Sequence, residues 1–299
     1  MAGPQITVAL PVYNGERYLD RAIRSVLDQS WRDLELVVVD NASSDATEEI
    51  ARRAADRDDR VRYVRQPENV GAVGNFNTGL ALARGTFFCW LAHDDWLAPE
   101  YLERCLAELG DHDLVVCSTM MGVTDESGEI FRIQRERLVG ADAAHPRQRL
   151  HSMLWTLQDP TAPVFGLIRV ATLRRVGGMP SVPEPDRHLL YALSLHGKLR
   201  ALPDVLFHHY GPPGHSAHYG VGRMHRRSWD WLHPPGRRRI KLSPARVISH
   251  QLTTVLRSDL PLPDRGVAAL DVCGAFLVRR GSSKGRKIVR AYRRRLTGG

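Results

Sequence analysis

No run of apolar residues in this chain approaches the roughly 20 that a membrane-spanning helix needs. The longest, Val267 to Val278, is interrupted by Asp271. Residues 1–5 carry no basic stretch and lead straight into a strand pattern, so no signal peptide is expected. Cysteine is scarce: Cys89, Cys105, Cys117 and Cys273 show no metal-ligand spacing, and three of them sit in apolar contexts. They read as buried free thiols rather than disulfides, which suits a reducing, cytoplasmic setting. There are 13 histidines, but the helical His-Glu-x-x-His spacing of a zinc site is absent. Internal repeats are absent, as is any interleaving of aromatics with basic residues that would mark a nucleic-acid reader, so nucleic acid is not an expected partner. Acidic residues stop altogether at Asp271.

What remains is the composition of an ordinary globular protein, with 43% hydrophobic and 25% charged residues in 299 positions. Charge is unevenly spread. Residues 1–222 hold 23 Lys/Arg against 29 Asp/Glu, whereas residues 223–299 hold 19 against 4. That contrast predicts an acidic body and a basic extension that meets something anionic.

Along the first 118 residues, apolar runs alternate with helical spacing. Ile6 to Val12, Leu34 to Asp40, Val61 to Val64, 86–91 and Asp113 to Ser118 read as strands. Between them lie an amphipathic helix of about 15 residues from Tyr18, and further helices through Ala55, over Gly71 to Arg84, and in "APEYLERCLAEL" with Pro99 near its start. This alternation predicts an α/β fold with a mostly parallel sheet covered on both faces. Ligands of such sheets bind beyond the carboxyl ends of the strands. Three polar clusters fall at those ends: Tyr13-Asn14, Asp40, and Asp94-Asp95 in "LAHDDW". Further on, "VTDESGEIFRI" predicts a hairpin, 146–158 and 186–197 predict helices, and Lys198–Tyr210 predicts a strand. Residues 211–242 read as irregular, and helices over about 243–258, 264–280 and 284–296 close the chain.

Two adjacent carboxylates after a buried strand are either solvated in a loop or gathered around a hard cation such as Mg²⁺ or Mn²⁺. Their context favours the second. "VALPVYNGERYLDRAIRSVLDQSWRDLELVVVDNASSDAT", "NVGAVGNFNTGLALARG" and "WLAHDDWLAPEYL" occur in an order and spacing that resemble family 2 glycosyltransferases. The resemblance is strong over residues 5–118 and weaker to about 216. It implies a GT-A fold, a Rossmann-like nucleotide-binding architecture. It also implies inverting, metal-dependent transfer from a nucleotide diphosphate sugar to a hydroxyl on a glycan, a lipid-linked acceptor or a small molecule.

By that resemblance, Pro11, Tyr13 and Glu16 shape the nucleoside pocket, with Tyr13 either along the base or in helix-end packing. Asp40 corresponds to the carboxylate that recognises base or ribose. Where many members read Asp-Asp-Gly-Ser, this chain reads Asp40-Asn41-Ala42-Ser43. Asn41, as an amide, donates as well as accepts, so uridine, deoxythymidine and guanosine donors all stay open. Asn69 and Gly71 stand where the family turns back beneath the nucleotide, and a plain turn explains them equally well. Asp95 corresponds to the metal ligand, and Asp94 either shares the ion or binds ribose. Ala92 stands where many members have another Asp, and His93 is either a ligand or a filler.

An inverting transfer needs a base for the acceptor proton. In "VGGMPSVPEPDRHLLYALSLHG", Asp186 corresponds to it, with Glu184 in reserve. The other reading of Asp186 is a helix cap. Gly166 and Arg169 follow a family pattern on the acceptor side. His208, His209 and Tyr210, with the loop to Ser216 that includes His215, stand where relatives approach the diphosphate. The expected domains are a catalytic unit over 1–216 and a basic, mostly helical extension over 217–299. Nine Lys/Arg in 279–299 are either a solvated face or a peripheral contact with anionic lipid. Two rivals stand beside this reading: a nucleotide-sugar binder without turnover, and a nucleotidyltransferase, for which "PVYNGERYL" is a poor phosphate loop.

Overall fold

The structure is a computed structural model and describes residues 3–135, 138–157, 161–211 and 244–280. Its elements run β1 (Ile6–Val12), α1 (Leu19–Leu27), β2 (Leu34–Asp40), α2 (Thr47–Arg57), β3 (Val61–Arg65), α3 (Gly71–Leu82) and β4 (Phe87–Trp90). Next come β5 (Trp96–Leu97), α4 (Tyr101–Glu108), β6 (Leu114–Thr124), β7 (Ile130–Gln134), α5 (Pro146–Thr156) and α6 (Thr161–Val164). The chain continues with β8 (Leu167–Arg169), α7 (Val170–Arg175), α8 (Pro185–His196), β9 (Lys198–Tyr210), α9 (Pro244–Leu256) and α10 (Leu262–Arg280).

The described strands form one nine-stranded sheet in the order β3-β2-β1-β4-β8-β6-β9-β5, with β7 paired to β6. β3, β2, β1 and β4 are parallel throughout, as are β6 and β9, while β8 and β5 join antiparallel. β1 and β2 are buried at every position, which is why they read as unbroken apolar runs rather than alternating ones. Pro11 lies in the middle of this sheet, where a missing N–H normally costs a ladder bond. Here it costs none. Ala9 faces β4 and its carbonyl accepts from Leu91 N, so Pro11 faces the same way, but β4 pairing has already ended at Ala9↔Trp90.

Two cores flank the sheet. One holds α1, α2 and α4 through Leu19, Ile23, Ala51 and Leu102; the other holds α3, α5, α7 and α8 through Val73, Leu150, Leu173 and Leu190. α9 and α10 join the second core through Val255, Ala268, Val272 and Ala275. Their helical character was expected. The expected domain boundary at 216 lies outside the described residues, as do the helix expected over 284–296 and all but the first residue of the irregular stretch expected over 211–242. α3 approaches β1 so closely that a Cβ on Gly79 would stand 2.7 Å from the Ala9 Cβ.

Several elements differ from expectation. α1 spans 9 residues rather than about 15: it starts at Leu19, one residue after Tyr18, and stops at Leu27, where Gln29 turns its side-chain amide back onto the Ser25 carbonyl (2.9 Å). β6 runs on to Thr124, supported by β7 and β9. β5, β8, α6 and α7 had no signal of their own: they are 2 to 6 residues long and are defined by their partners. All four cysteines are free, and Cys89, Cys105 and Cys117 are buried.

Candidate active site

β1, β2 and β4 end along one edge, and the turns that follow them are bonded together. Asn14, with a left-handed φ of 51°, donates its N–H to Ser43 Oγ (2.9 Å), and its Oδ1 accepts from Ser44 N (2.9 Å). Gly15 N donates to Thr47 Oγ1 (2.8 Å). Glu16 N donates to Asp45 Oδ2 (3.0 Å), and Glu16 Oε2 accepts from Ala46 N (3.1 Å) at the start of α2. Glu16 thus holds the second turn in place while Tyr13 stays 46% exposed above it. A Cβ on Gly15 would come 2.8 Å from the His93 ring, so the turn carrying Asp94 packs on the first one. Ala42 also takes a left-handed φ of 61°, at a cost of about 1 kcal/mol, where Asp-Asp-Gly-Ser relatives have glycine.

Asp40 is fully buried and its carboxylate is occupied. Oδ1 accepts from Ser43 N (2.8 Å), and Oδ2 accepts from Tyr63 Oη (2.7 Å) and Arg65 Nη1 (2.7 Å). Burial and the bond to Asp40 push the Tyr63 hydroxyl up to about 12. Asp40 therefore anchors the edge of the sheet in addition to whatever it offers a ligand. Asp40→Ala is expected to cost about 3 kcal/mol, since it strands two buried donors and an arginine. That corresponds to a melting temperature lower by about 10 °C in calorimetry of the ligand-free protein. A residue that only touched nucleotide would leave it unchanged.

Asn41 and Asn69 form an amide pair beside it. Asn41 Nδ2 donates to Asn69 Oδ1 (3.0 Å), and Asn41 Oδ1 accepts from Val70 N (2.8 Å). Asn69 Oδ1 also takes the N–H of Gly71 (2.9 Å), whose φ is +78°. The pair starts α3. Asn75, one turn on, donates to Val39 O (2.7 Å), and its Oδ1 is buried without a partner.

The two central carboxylates have different surroundings. Asp94 is partly exposed; Asp95 is 1% exposed. Asp95 N donates to Ala92 O (3.1 Å), and β5 then hooks onto β9, with Trp96 opposite His208. This brings His209 and Tyr210 onto Asp95: Oδ1 accepts from His209 Nδ1 (2.9 Å) and Tyr210 N (3.1 Å). An ionised carboxylate only accepts, so His209 Nδ1 carries the proton. Among the described residues no donor reaches Oδ2, which is buried. Burial pushes the Asp95 carboxyl up, and the bonded His209 opposes this. Buried acceptors without partners are rare and expensive. A cation beside Oδ2 would supply the missing partner and hold the group ionised, so the donor set fits a hard divalent ion. No cluster of three His, Cys, Asp or Glu suited to a metal occurs among the described residues, so the chain would offer Asp95 and Asp94, with Ala92 adding nothing.

Around this turn stand Arg21 and Trp96, which the sequence did not single out, together with His208 and Tyr210, which it did. The Arg21 guanidinium lies 3.6 Å from the centroid of the Trp96 ring, and His208 stacks on that ring at 5.3 Å. Arg21 Nη2 and His208 Nδ1 are both buried and have no partner among the described residues. Burial lowers the pKa of Arg21, with Tyr18 and then Asp95 opposing, and burial beside Arg21 lowers that of His208. Tyr210 packs tilted against Tyr18, with ring centroids 4.6 Å apart, and donates to Glu126 (3.2 Å), tying the hairpin turn to the same corner. "YLDRA" carried a signal only in retrospect: an arginine two residues into an otherwise amphipathic helix whose start faces the ligand edge.

Asp186 and Glu184 come from a separate element, the N-terminus of α8. The segment leading to it is pinned to α3, where Asn77 Oδ1 accepts from Met179 N (2.8 Å) and Asn77 Nδ2 donates to Met179 O (2.8 Å). Glu184, at a left-handed φ of 51°, accepts from Arg187 Nε (2.8 Å), and the Arg187 side chain is 2% exposed. Asp186 Oδ1 accepts from Arg187 N (2.8 Å). Gly166 is packed against the Cys117 carbonyl, 2.7 Å from where its Cβ would stand. Arg169 corrects its expected place on the acceptor side. It pairs with Phe87 at the opposite end of β4 and binds the carbonyls of Leu109, Asp111 and Leu114, which makes it a strut between α4 and β6. His215 and the loop to Ser216 lie outside the described residues.

The sequence profile of Glycosyl transferase family 2 matches residues 7–177, more than half of the chain and every strand-end turn described above. The chain belongs to glycosyltransferase family 2. Glycosyltransferase GlyA of Streptococcus pneumoniae is 38% identical over 108 residues, which are 36% of this chain and 15% of GlyA. The chain thus spans a small part of that relative. Among solved structures, S. aureus TarS 1–349 in complex with UDP-GlcNAc superposes with a TM-score of 0.62 at 16% identity, over 94% of this chain and 77% of that one. Mannosyltransferase PcManGT from Pyrobaculum calidifontis, in complex with GDP-Man and Mn²⁺, gives 0.53 at 18% identity, over 97% and 79%. At these identities the likeness establishes the fold, which is GT-A. Family membership leaves the nucleotidyltransferase reading without support.

Proposed function

We propose that this family 2 member transfers a sugar, with inversion, from a pyrimidine nucleoside diphosphate sugar to a hydroxyl acceptor, in the presence of Mn²⁺ or Mg²⁺. The observation that carries the reading is Asp95: buried, held through one oxygen by His209 and Tyr210, with its other oxygen lacking a partner among the described residues at the ligand edge of the sheet. The UDP-GlcNAc of the TarS complex and the Mn²⁺ of the PcManGT complex support it by analogy.

In this reading Tyr13 and the Asn41–Asn69 pair border the nucleoside, and the diphosphate lies toward Asp94 and Asp95. A bound divalent ion supplies neutralisation of the charge that develops on the leaving diphosphate. Asp95 and Asp94 hold it, with His209 fixing the Asp95 rotamer. Arg21 adds positive charge near the same turn. Asp186 takes the proton from the acceptor hydroxyl as its oxygen attacks the anomeric carbon, and the bond to the diphosphate oxygen breaks on the opposite side. Glu184 is the less suitable base because it already neutralises Arg187. The acceptor is a glycan, a lipid-linked sugar or a small metabolite.

Thermal shift against UDP-, dTDP- and GDP-sugars, with and without Mn²⁺, tests the donor. A pyrimidine donor at about 100 times its Kd is expected to stabilise the protein by about 2.7 kcal/mol. That is a rise of roughly 5–10 °C, seen only with metal. A response confined to GDP-sugars, or one indifferent to chelator, would overturn the corresponding part. The second reading, a binder without turnover, rests on Ala92. It predicts the same shift with no sugar transfer or donor hydrolysis over a broad acceptor panel.

A further inference from the structure

We infer that the outer face of α10 is a docking surface for an anionic lipid bilayer, on which the helix lies flat. The inner side of α10 is accounted for: Ala268, Val272 and Ala275 are buried in the core shared with α5, α8 and α9. On the other side, Val267, Leu270, Gly274 and Leu277 recur at helical spacing along one stripe, about 15 Å long. Leu270 is 72% and Leu277 69% exposed, and a Cβ on Gly274 would meet nothing within 4 Å. Leu256, at the end of α9, and Leu262, at the start of α10, are exposed as well.

No charge interrupts the stripe. The charged residues of α10 before Arg279 are turned to its other sides. Asp264 pairs with Arg147 (3.6 Å), Asp271 with His151 (3.1 Å), and Arg265 binds the carbonyls of Leu260 and Leu256. A surface helix of a globular protein normally turns its polar residues to water, whereas here the outward stripe is apolar and the charges lie beside it.

Charge identifies the occupant. In sequence the stripe runs directly into residues 279–299, which hold nine Lys/Arg and no acid. An apolar stripe that continues into unopposed positive charge matches the acyl–headgroup boundary of an anionic bilayer. A second copy would bring the same excess of positive charge and be repelled. Nucleic acid would leave the leucines uncovered. Among the described residues no helix is long and apolar enough to cross a membrane, so the contact is peripheral. This inference stands independently of the donor assignment.

Sedimentation of the full chain with vesicles tests it. Binding is expected to vesicles of phosphatidylcholine with about 30% phosphatidylglycerol and not to phosphatidylcholine alone, weakening as salt rises. The double variant Leu270→Ser/Leu277→Ser is expected to bind at least tenfold more weakly, because both side chains lose their apolar environment. Both positions are exposed, so its melting temperature should match the wild type. The Leu270→Trp variant supplies a second readout: added fluorescence that shifts to the blue and is quenched by brominated lipid. Three results would overturn the proposal. These are no binding to anionic vesicles, binding undiminished in the double variant (the basic segment acting alone), or a dimer that the double variant dissociates. Donor-induced thermal shift should be the same in all these variants, which keeps failure here distinct from failure of the donor reading.

Discussion

Asp95→Asn should abolish metal-dependent donor binding and lower kcat/KM by about 10³-fold, without destabilising the ligand-free protein. The two halves of this result have one cause. Asn keeps an Oδ1 acceptor for His209 Nδ1 and Tyr210 N, so the turn between β4 and β5 retains its clamp. What it loses is the negative charge. In the ligand-free fold that charge is a burden, because burial raises the Asp95 pKa above its ordinary value and Oδ2 has no partner among the described residues. A carboxyl whose folded pKa is raised binds its proton more tightly in the folded state. Its contribution to stability is therefore fully present below the ordinary carboxylate pKa and is lost as pH rises through the raised folded value. At neutral pH the amide removes this penalty, so the melting temperature of the apo variant should equal or exceed that of the wild type. Adding Mn²⁺ with donor should then separate the two proteins in the opposite sense. Calorimetry with and without metal, alongside initial rates, measures both. An Asp95→Asn protein that melts much earlier without ligand would mark Asp95 as a structural anchor instead.

Asp186→Asn should retain the donor-induced thermal shift and lose turnover by about 10²- to 10⁴-fold, the usual range for a general base. The substitution separates the two readings of this residue. In the structure Glu184 is the N-cap of α8 and Asp186 is its second residue, where its Oδ1 accepts from Arg187 N, a bond that Asn also makes. If that bond were the whole role, rate and stability would both survive. A base cannot be replaced by an amide, so loss of rate at constant donor affinity assigns the proton transfer. Glu184→Gln is the natural control. It removes the charge paired with Arg187, whose side chain is 2% exposed, so its main effect should be on melting temperature.

The two carboxylate pairs show what kind of information a sequence carries. That Asp94-Asp95 ends a buried strand is visible in "FFCWLAHDDW", since the run Phe87 to Leu91 is continuous and the polar pair interrupts it. Which of the two turns inward is not visible. The answer depends on β9, whose His209 bonds Asp95 across 114 positions of sequence. Asp40 is similar: its place at a strand end was legible, while its engagement by Tyr63 and Arg65 depends on the register of β2 with β3, which sets Asp40 opposite Arg65. Arg169 was misplaced because a motif fixes neighbours along the chain, not the direction of a strand. β8 runs antiparallel to β4 and delivers the residue to the far end of the sheet. Arg21 and Trp96 went unnoticed since each is ordinary where it stands and informative only beside the other.

From its residue order alone this chain specifies alternating strands and helices, a ligand edge with acidic turns, and a basic end. These follow from periodicity, turn chemistry and charge, which act over a few neighbouring residues. Tertiary structure alone decided that Asp95 rather than Asp94 is buried, that Asp40 is an anchor, and that α10 keeps an apolar face uncovered. Such outcomes depend on which distant surfaces meet when the sheet closes, and burial, hydrogen-bond partners and exposure are properties of that meeting.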